Sequence, residues 1–333
     1  MFLDLPLIWA FLIAFAVFAY VVLDGFDLGI GILFPFYPPG KARDMMMNTV
    51  APVWDGNETW LVLGGGGLFA AFPLAYAILM PAVYVPVIAM LLSLVFRGTA
   101  FEFRWRTERG RWAWDLAFSL GSAMAGMCQG IILGAILQGV KVEGRAYAGG
   151  WWDWLTPFSL LCGVSVVAGY ALLGATWLVM KTESDIQQRA YAMAWRAGGV
   201  TLAAIVAVSG ATPFLDGNYW ERWFTFPSIV ATAQVPLLVA ILSAALVWTL
   251  KTRKERWPFL LTLAIYMLCF MGLGISIFPD IVPGRVSIWE AASPPLSQGF
   301  MLIGAGILIP IILTYTGYAY WVFRGKVHEG GYH

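Results

Sequence analysis

Two short polar runs interrupt otherwise apolar stretches of the chain: Leu23-Asp24-Gly25-Phe26-Asp27-Leu28-Gly29 and Trp54-Asp55-Gly56-Asn57-Glu58-Thr59-Trp60. In each run two carboxylates stand at i and i+3, a spacing that puts them on one side of a helix. Neither run has a compensating Lys or Arg beside it. A carboxylate at the centre of a membrane helix costs about 2.5–3.5 kcal/mol on insertion scales, which makes such residues functional candidates by default. Four clustered acids in a low-dielectric region cannot all be ionised without counter-charge. A carboxyl that takes up and releases a proton near neutral pH is what a proton relay requires. The structural alternative is that Asp24, Asp27, Asp55 and Glu58 cap broken helix ends and satisfy backbone N–H groups near Gly25 and Gly56.

The elements that must position these residues are membrane helices. Of 333 residues, 60% are hydrophobic and 12% charged, with a mean hydropathy of +0.76, whereas a soluble domain is roughly a quarter charged. Apolar windows predict an all-α polytopic protein with about nine spans, at 7–34, 52–73, 75–98, 114–138, 157–180, 197–215, 225–250, 257–279 and 297–323. The boundary near Pro73 is the weakest of these. Brief connections leave no room for a separate extramembrane domain, so residues 1–333 read as one membrane-embedded unit. On one side fall Lys41, Arg43, the five arginines from Arg97 to Arg111, Lys181, Arg189, Arg196, the four basic residues from Lys251 to Arg256, Arg324 and Lys326. The other side carries only Lys141, Arg145, Arg222 and Arg285. This bias places the N-terminus outside and the C-terminus in the cytoplasm. Counted from the outer edge near Leu7, Asp24 is about 25 Å deep, close to the inner edge of a core about 30 Å thick. Asp55 and Glu58, on a span running the other way, should lie near the same edge.

Other compositional features exclude chemistry. A formal net charge of +1 gives no basic stripe for nucleic acid. The two histidines, His328 and His333, sit in the last six residues, and haem iron usually takes His or Met as axial ligand. The chain is therefore expected to bind no haem or metal by itself. Cys128, Cys162 and Cys269 are far apart in apolar stretches and read as packing residues. No cleavable leader is expected, and neither a Ser–His pair nor a phosphate-binding lysine motif suggests a self-contained enzyme. Gly64-Gly65-Gly66-Gly67 invites close approach of another helix or a ligand. Trp60 falls beside the acids rather than in an interfacial belt. Arg97 is either a snorkelling anchor or the missing counter-charge. Asp216-Gly217-Asn218-Tyr219-Trp220 echoes the second motif by coincidence, since it sits on the opposite side. On the residues alone, a proton-coupled secondary transporter using the same acids stands as an alternative to a subunit that supplies a proton path.

At these residues the chain resembles subunit II of the cytochrome bd-type quinol oxidases, with compact loops like those of the cyanide-insensitive branch. The resemblance is carried by Val22-Leu23-Asp24-Gly25-Phe26-Asp27-Leu28-Gly29, by Ala51-Pro52-Val53-Trp54-Asp55-Gly56-Asn57-Glu58-Thr59-Trp60 and by Gly66-Gly67-Leu68-Phe69-Ala70-Ala71-Phe72-Pro73. It continues through Leu94-Val95-Phe96-Arg97 to Tyr320-Trp321-Val322-Phe323-Arg324-Gly325-Lys326-Val327. The resemblance implies nine helices as two four-helix bundles (1–138, with the acidic motifs, and 157–279) plus a peripheral helix at 297–323. It implies a bacterial inner-membrane partner, subunit I, that carries the b-type and d-type haems and oxidises quinol near the outer face. Protons for reducing O2 to water would come from the cytoplasm along a path including Asp55, with Asp24 nearer its entrance and Asp27 and Glu58 in the same acid cluster. Asn57 and Arg97 would support the motif, and Trp60 would mark an oxygen route known in some members. Some members have Gln at position 58, so Glu58 adds a titratable group. A structural quinone or lipid and a small single-span accessory subunit complete the implied assembly.

Overall fold

A computed structural model describes residues 3–216 and 218–327; His328 and His333 lie outside the described residues. The first helix, α1 (Leu5–Leu33), starts where the Asp4 carboxylate accepts the Leu7 N–H at 3.1 Å and Pro6 fits the first turn. After a short α2 (Lys41–Asn48) come α3 (Trp54–Ala71) and α4 (Pro73–Ala82), then α5 (Tyr84–Arg106) and α6 (Arg111–Leu137). A hairpin of β1 (Val142–Glu143) and β2 (Ala146–Tyr147) leads to α7 (Pro157–Lys181), opened by a capping box between Thr156 and Ser159. The second half holds α8 (Ser184–Ala211), the short α9 (Tyr219–Phe224) and α10 (Ile229–Thr232), then α11 (Gln234–Lys251) and α12 (Trp257–Ile277). A second hairpin, β3 (Asp280–Val282) and β4 (Val286–Ser287), precedes α13 (Ile288–Ala291) and the last helix, α14 (Pro295–Val322).

Among the described residues, eight helices are long and apolar enough to span a membrane, and the bent pair α3–α4 makes nine when counted as one span. The pair turns through 120° at Phe72, whose φ of −131° and ψ of 62° leave the helical region just before a proline, which disfavours helical geometry in the residue preceding it. This is where the structure departs most from the predicted spans. The stretch starting at 75 is not one helix: α4 stops at Ala82, and the span that follows runs 84–106, carrying Arg97 and Arg104. The sixth span also begins earlier than predicted, at Ser184, and the polar α2 was not foreseen.

Helix α1 packs against α3, α6 and α7; α6 joins α5 to α7; and α7 carries α8 and α12, the latter paired with α11. Helix α14 touches mainly α1 and α3. Where α1 crosses α7 the backbones meet: a Cβ on Gly29 would stand 1.9 Å from the Tyr170 carbonyl oxygen, and one on Gly174 would stand 2.4 Å from the Gly29 carbonyl carbon. Only glycine permits that approach. In the tetraglycine run, Gly64 and Gly67 face Val17 and Ile13 of α1, while Gly65 and Gly66 look into open space. The three cysteines are unpaired thiols, with Cys128 and Cys162 buried.

Candidate functional site: a buried acid cluster around Arg97

Asp24 and Asp27 lie on the inward stripe of α1 and are both completely buried. From α5, the equally buried Arg97 reaches between them. Its Nη1 stands 2.9 Å from Asp24 Oδ1 and 2.6 Å from Glu58 Oε1, and its Nη2 is 3.9 Å from Asp27 Oδ2. One guanidinium thus stands among three carboxylates. Glu58, on the flank of α3, keeps a quarter of its side chain exposed. Asp55 is not in this group. The inward stripe of α3 is Asn57, Trp60, Gly64 and Ala71, and Asp55 lies across the helix from it, exposed alongside Thr59, Val62 and Phe69. The i, i+3 pair on α1 converges on the arginine, whereas the pair on α3 is split because the buried stripe passes to one side of Glu58.

Asn57 is buried and holds Asp27 in place: its Nδ2 donates to Asp27 Oδ2 at 2.7 Å and to the Leu23 carbonyl at 3.2 Å. Its Oδ1 accepts the Tyr320 hydroxyl of α14 at 2.9 Å. The Tyr320 ring packs edge-on to Phe26 and Trp177. Trp60 is buried edge-on to Phe15, 5.6 Å between ring centres, in a cluster with Ala16, Ala19 and Tyr20. One turn before Asp24, the Tyr20 hydroxyl accepts Gln129 Nε2 at 2.9 Å, and Gln129 Oε1 in turn accepts the Tyr170 hydroxyl. The Tyr170 ring fits because residue 25 is glycine: a Cβ there would meet it at 2.7 Å. Tyr20, Gln129 and Tyr170 are absent from the motifs, and Tyr320 opens the last of them with no role read for it; an uncharged polar group inside an apolar span, as at Gln129, is the signal that could have marked them.

A second ionic group lies further along α5. Arg104 Nε is 2.5 Å from Asp115 Oδ1, and its Nη1 is 2.8 Å from Asp44 Oδ1. Arg43 holds the other oxygen of Asp115 at 2.7 Å, and Arg111 shares the Asp44 oxygen at 2.8 Å. Beyond it, the buried Lys181 at the end of α7 donates to the backbone carbonyls of Phe323 and Gly325. The Val327 N–H returns to the Lys181 carbonyl at 2.9 Å, and Lys326 pairs with Glu255 at 3.0 Å. The segment after α14 is thereby strapped across the end of α7. Among the described residues no group of three or more His, Cys, Asp or Glu side chains is placed to hold a metal ion.

Fold and site together define a multi-pass helical membrane protein with an acid-rich charge cluster among its first helices. The chain belongs to the family of cytochrome bd terminal oxidase subunit II, which it matches over residues 5–323. It is 31% identical to cytochrome bd-I ubiquinol oxidase subunit 2 of Escherichia coli, across 97% of this chain and 95% of the relative. It is 29% identical to cytochrome bd ubiquinol oxidase subunit 2 of Bacillus subtilis, across 96% of each. The fold matches the bd oxidase structure from Geobacillus thermodenitrificans with a TM-score of 0.77 at 18% identity, covering 97% of this chain and all of that one. This is a multi-pass protein of the bacterial inner membrane, and its relatives are subunits of an oxidoreductase complex.

Proposed function

We propose that the chain is the non-haem subunit of a quinol:O2 oxidoreductase and supplies a proton path from the cytoplasm to a haem-bearing subunit I. The observation that carries this reading is a gradient of burial across three acids: Asp55 exposed, Glu58 one turn on and a quarter exposed, Asp24 fully buried. Glu58 and Asp24 share one guanidinium nitrogen of Arg97, so a proton gained by one carboxyl changes the charge felt by the other at a few ångströms. With Asp55 rather than Asp24 taken as the entrance because it is the exposed acid, a proton accepted at Asp55 moves to Glu58 and is shared with Asp24 until Glu58 hands it on across the α3 face to the partner, each carboxylate returning to its earlier state as it releases the proton. Conversion of O2 to water consumes as many protons as electrons. Drawing those protons from the cytoplasm while quinol oxidation releases protons outside would generate a proton motive force. With the N-terminus outside, the basic ends of the helices face the cytoplasm, on the side of the Arg104 group.

The described helices contain no imidazole, so their donor set does not fit the commonest haem ligation, and the haems and quinol site are assigned to the partner. The exposed face of α3, with Asp55, Thr59, Val62 and the open Gly65 and Gly66, is the surface on which that partner meets the path. Replacement Asp55→Asn in the purified complex should lower quinol oxidase turnover with haem content intact, and Glu58→Gln should do the same. Unchanged turnover in both variants across a pH series would remove the acids from the mechanism.

A further inference from the structure

The Arg97 cluster and the Arg104 group stand on the same face of α5, two turns apart, and what separates them is aromatic. Three elements give the same order independently. On α5 it is Arg97, Phe101, Arg104; on α6 it is Ser122, Phe118, Asp115; and on α1 and the turn after it, Asp27 then Phe34. Phe34 and Phe118 are fully buried and Phe101 nearly so. Phe118 is edge-on to both others, at 5.0 Å from Phe34 and 5.1 Å from Phe101, and the Trp54 ring lies parallel to Phe101 at 4.6 Å. A guanidinium caps each side: Arg97 stands 5.8 Å from the Phe101 ring centre, and Arg104 stands 5.3 Å from that of Phe34. The backbones close in beside the rings as well, because a Cβ on Gly31 would meet Ser122 Oγ at 2.0 Å and the Phe118 carbonyl at 3.0 Å.

A buried water needs two to four polar partners, and edge-on phenyl rings offer none. We propose that Phe34, Phe101 and Phe118 form a water-excluding seal between the two ionic groups. The seal shuts the axial route to the acid cluster and leaves the α3 side, along its seam with the partner, as the way in. This deepens the proton-path reading and rests on it for its consequence, although the seal itself can be tested without measuring activity. The arginines of the outer group then face water or lipid headgroups without delivering protons inward, and the route is set by where the apolar layer stops.

The test uses the whole oxidase complex. Ser122→Cys places a near-isosteric thiol just behind the seal, and its reaction with a small charged methanethiosulfonate reagent is followed against the parent, whose Cys128 and Cys162 are buried. Labelling should be slow with the rings intact or with Phe118→Leu added, and at least tenfold faster with Phe118→Ser. Should the Phe118→Ser complex fail to assemble, Phe101→Ser breaches the same layer from α5. Rapid labelling behind intact rings, or no acceleration in an assembled serine variant, overturns the seal. A second arm combines Phe118→Ser with Asp55→Asn: the breach should return several-fold of the turnover lost in Asp55→Asn alone, because water now reaches Asp24 along the axis. If both Asp55→Asn and Glu58→Gln leave turnover intact, the proton path fails, while the labelling result still decides the seal.

Discussion

Two ionic groups on one helix face do opposite things with charge. Around Arg97, three carboxylates share one cation; around Arg104, three arginines hold two aspartates. The second has more base than acid, and because each aspartate is held by two arginines it acts as a latch tying α2, α5 and α6 together. The first has more acid than counter-charge, with two of its three carboxylates completely buried. Burial alone does not distinguish them, since Arg97 and Arg104 are both almost wholly enclosed. The ratio of acid to base does.

The largest test of that contrast removes each cation. Arg97→Gln strands three carboxylates in the interior and should cost about 3–5 kcal/mol, or prevent assembly of the complex, as measured by its thermal midpoint. Arg104→Gln should cost less, about 1–3 kcal/mol, because Arg43 and Arg111 remain on the two aspartates. A reversed ranking would break the comparison. Next in size, Asp24→Asn should lower turnover by ~10-fold or more with haem content unchanged. Its counterpart Asp115→Asn should leave turnover near that of the parent and lower only stability. Equal losses of turnover would merge the two groups into one functional unit.

The smallest effect belongs to the strap after α14. Hydrogen bonds from Lys326 and Gln187 hold the Glu255 carboxyl below the ordinary carboxylate range. A depressed folded value means that the contribution is present above the unfolded pKa and lost as pH falls through the folded one, so it disappears only in acid, below the ordinary carboxylate range. Lys326→Ala should cost less than about 1 kcal/mol, fading at high salt, with faster amide exchange in residues 323–327 as the measure.

The carboxylate pairs, Asn57, Trp60 and Arg97 are legible in the chain because each is a polar or bulky residue out of place in an apolar run. Their mutual geometry is not. Nothing local tells that Glu58 turns in and Asp55 out, since that depends on which stripe of α3 meets α1. Tyr320 lies 263 residues from the amide it meets, and Gln129 lies 109 from Tyr20; such pairs are products of packing. Periodicity finds most spans but slides past the Phe72 bend, because residues 73–82 are as apolar as a span and only the backbone at a pre-proline position reveals the turn.

The contact of α1 with α7 at Gly29 and Gly174 has a mechanical consequence. A machine that exposes its site alternately to two sides must rock one helix group against another. Here the first and fifth long helices touch backbone to backbone two residues from Asp27, so rocking would have to part surfaces that already interlock without side chains. On the proton-path proposal the α1–α7 contact is a stationary frame, since a proton can move by rearranging hydrogens and a few side chains while these two helices stay where they are.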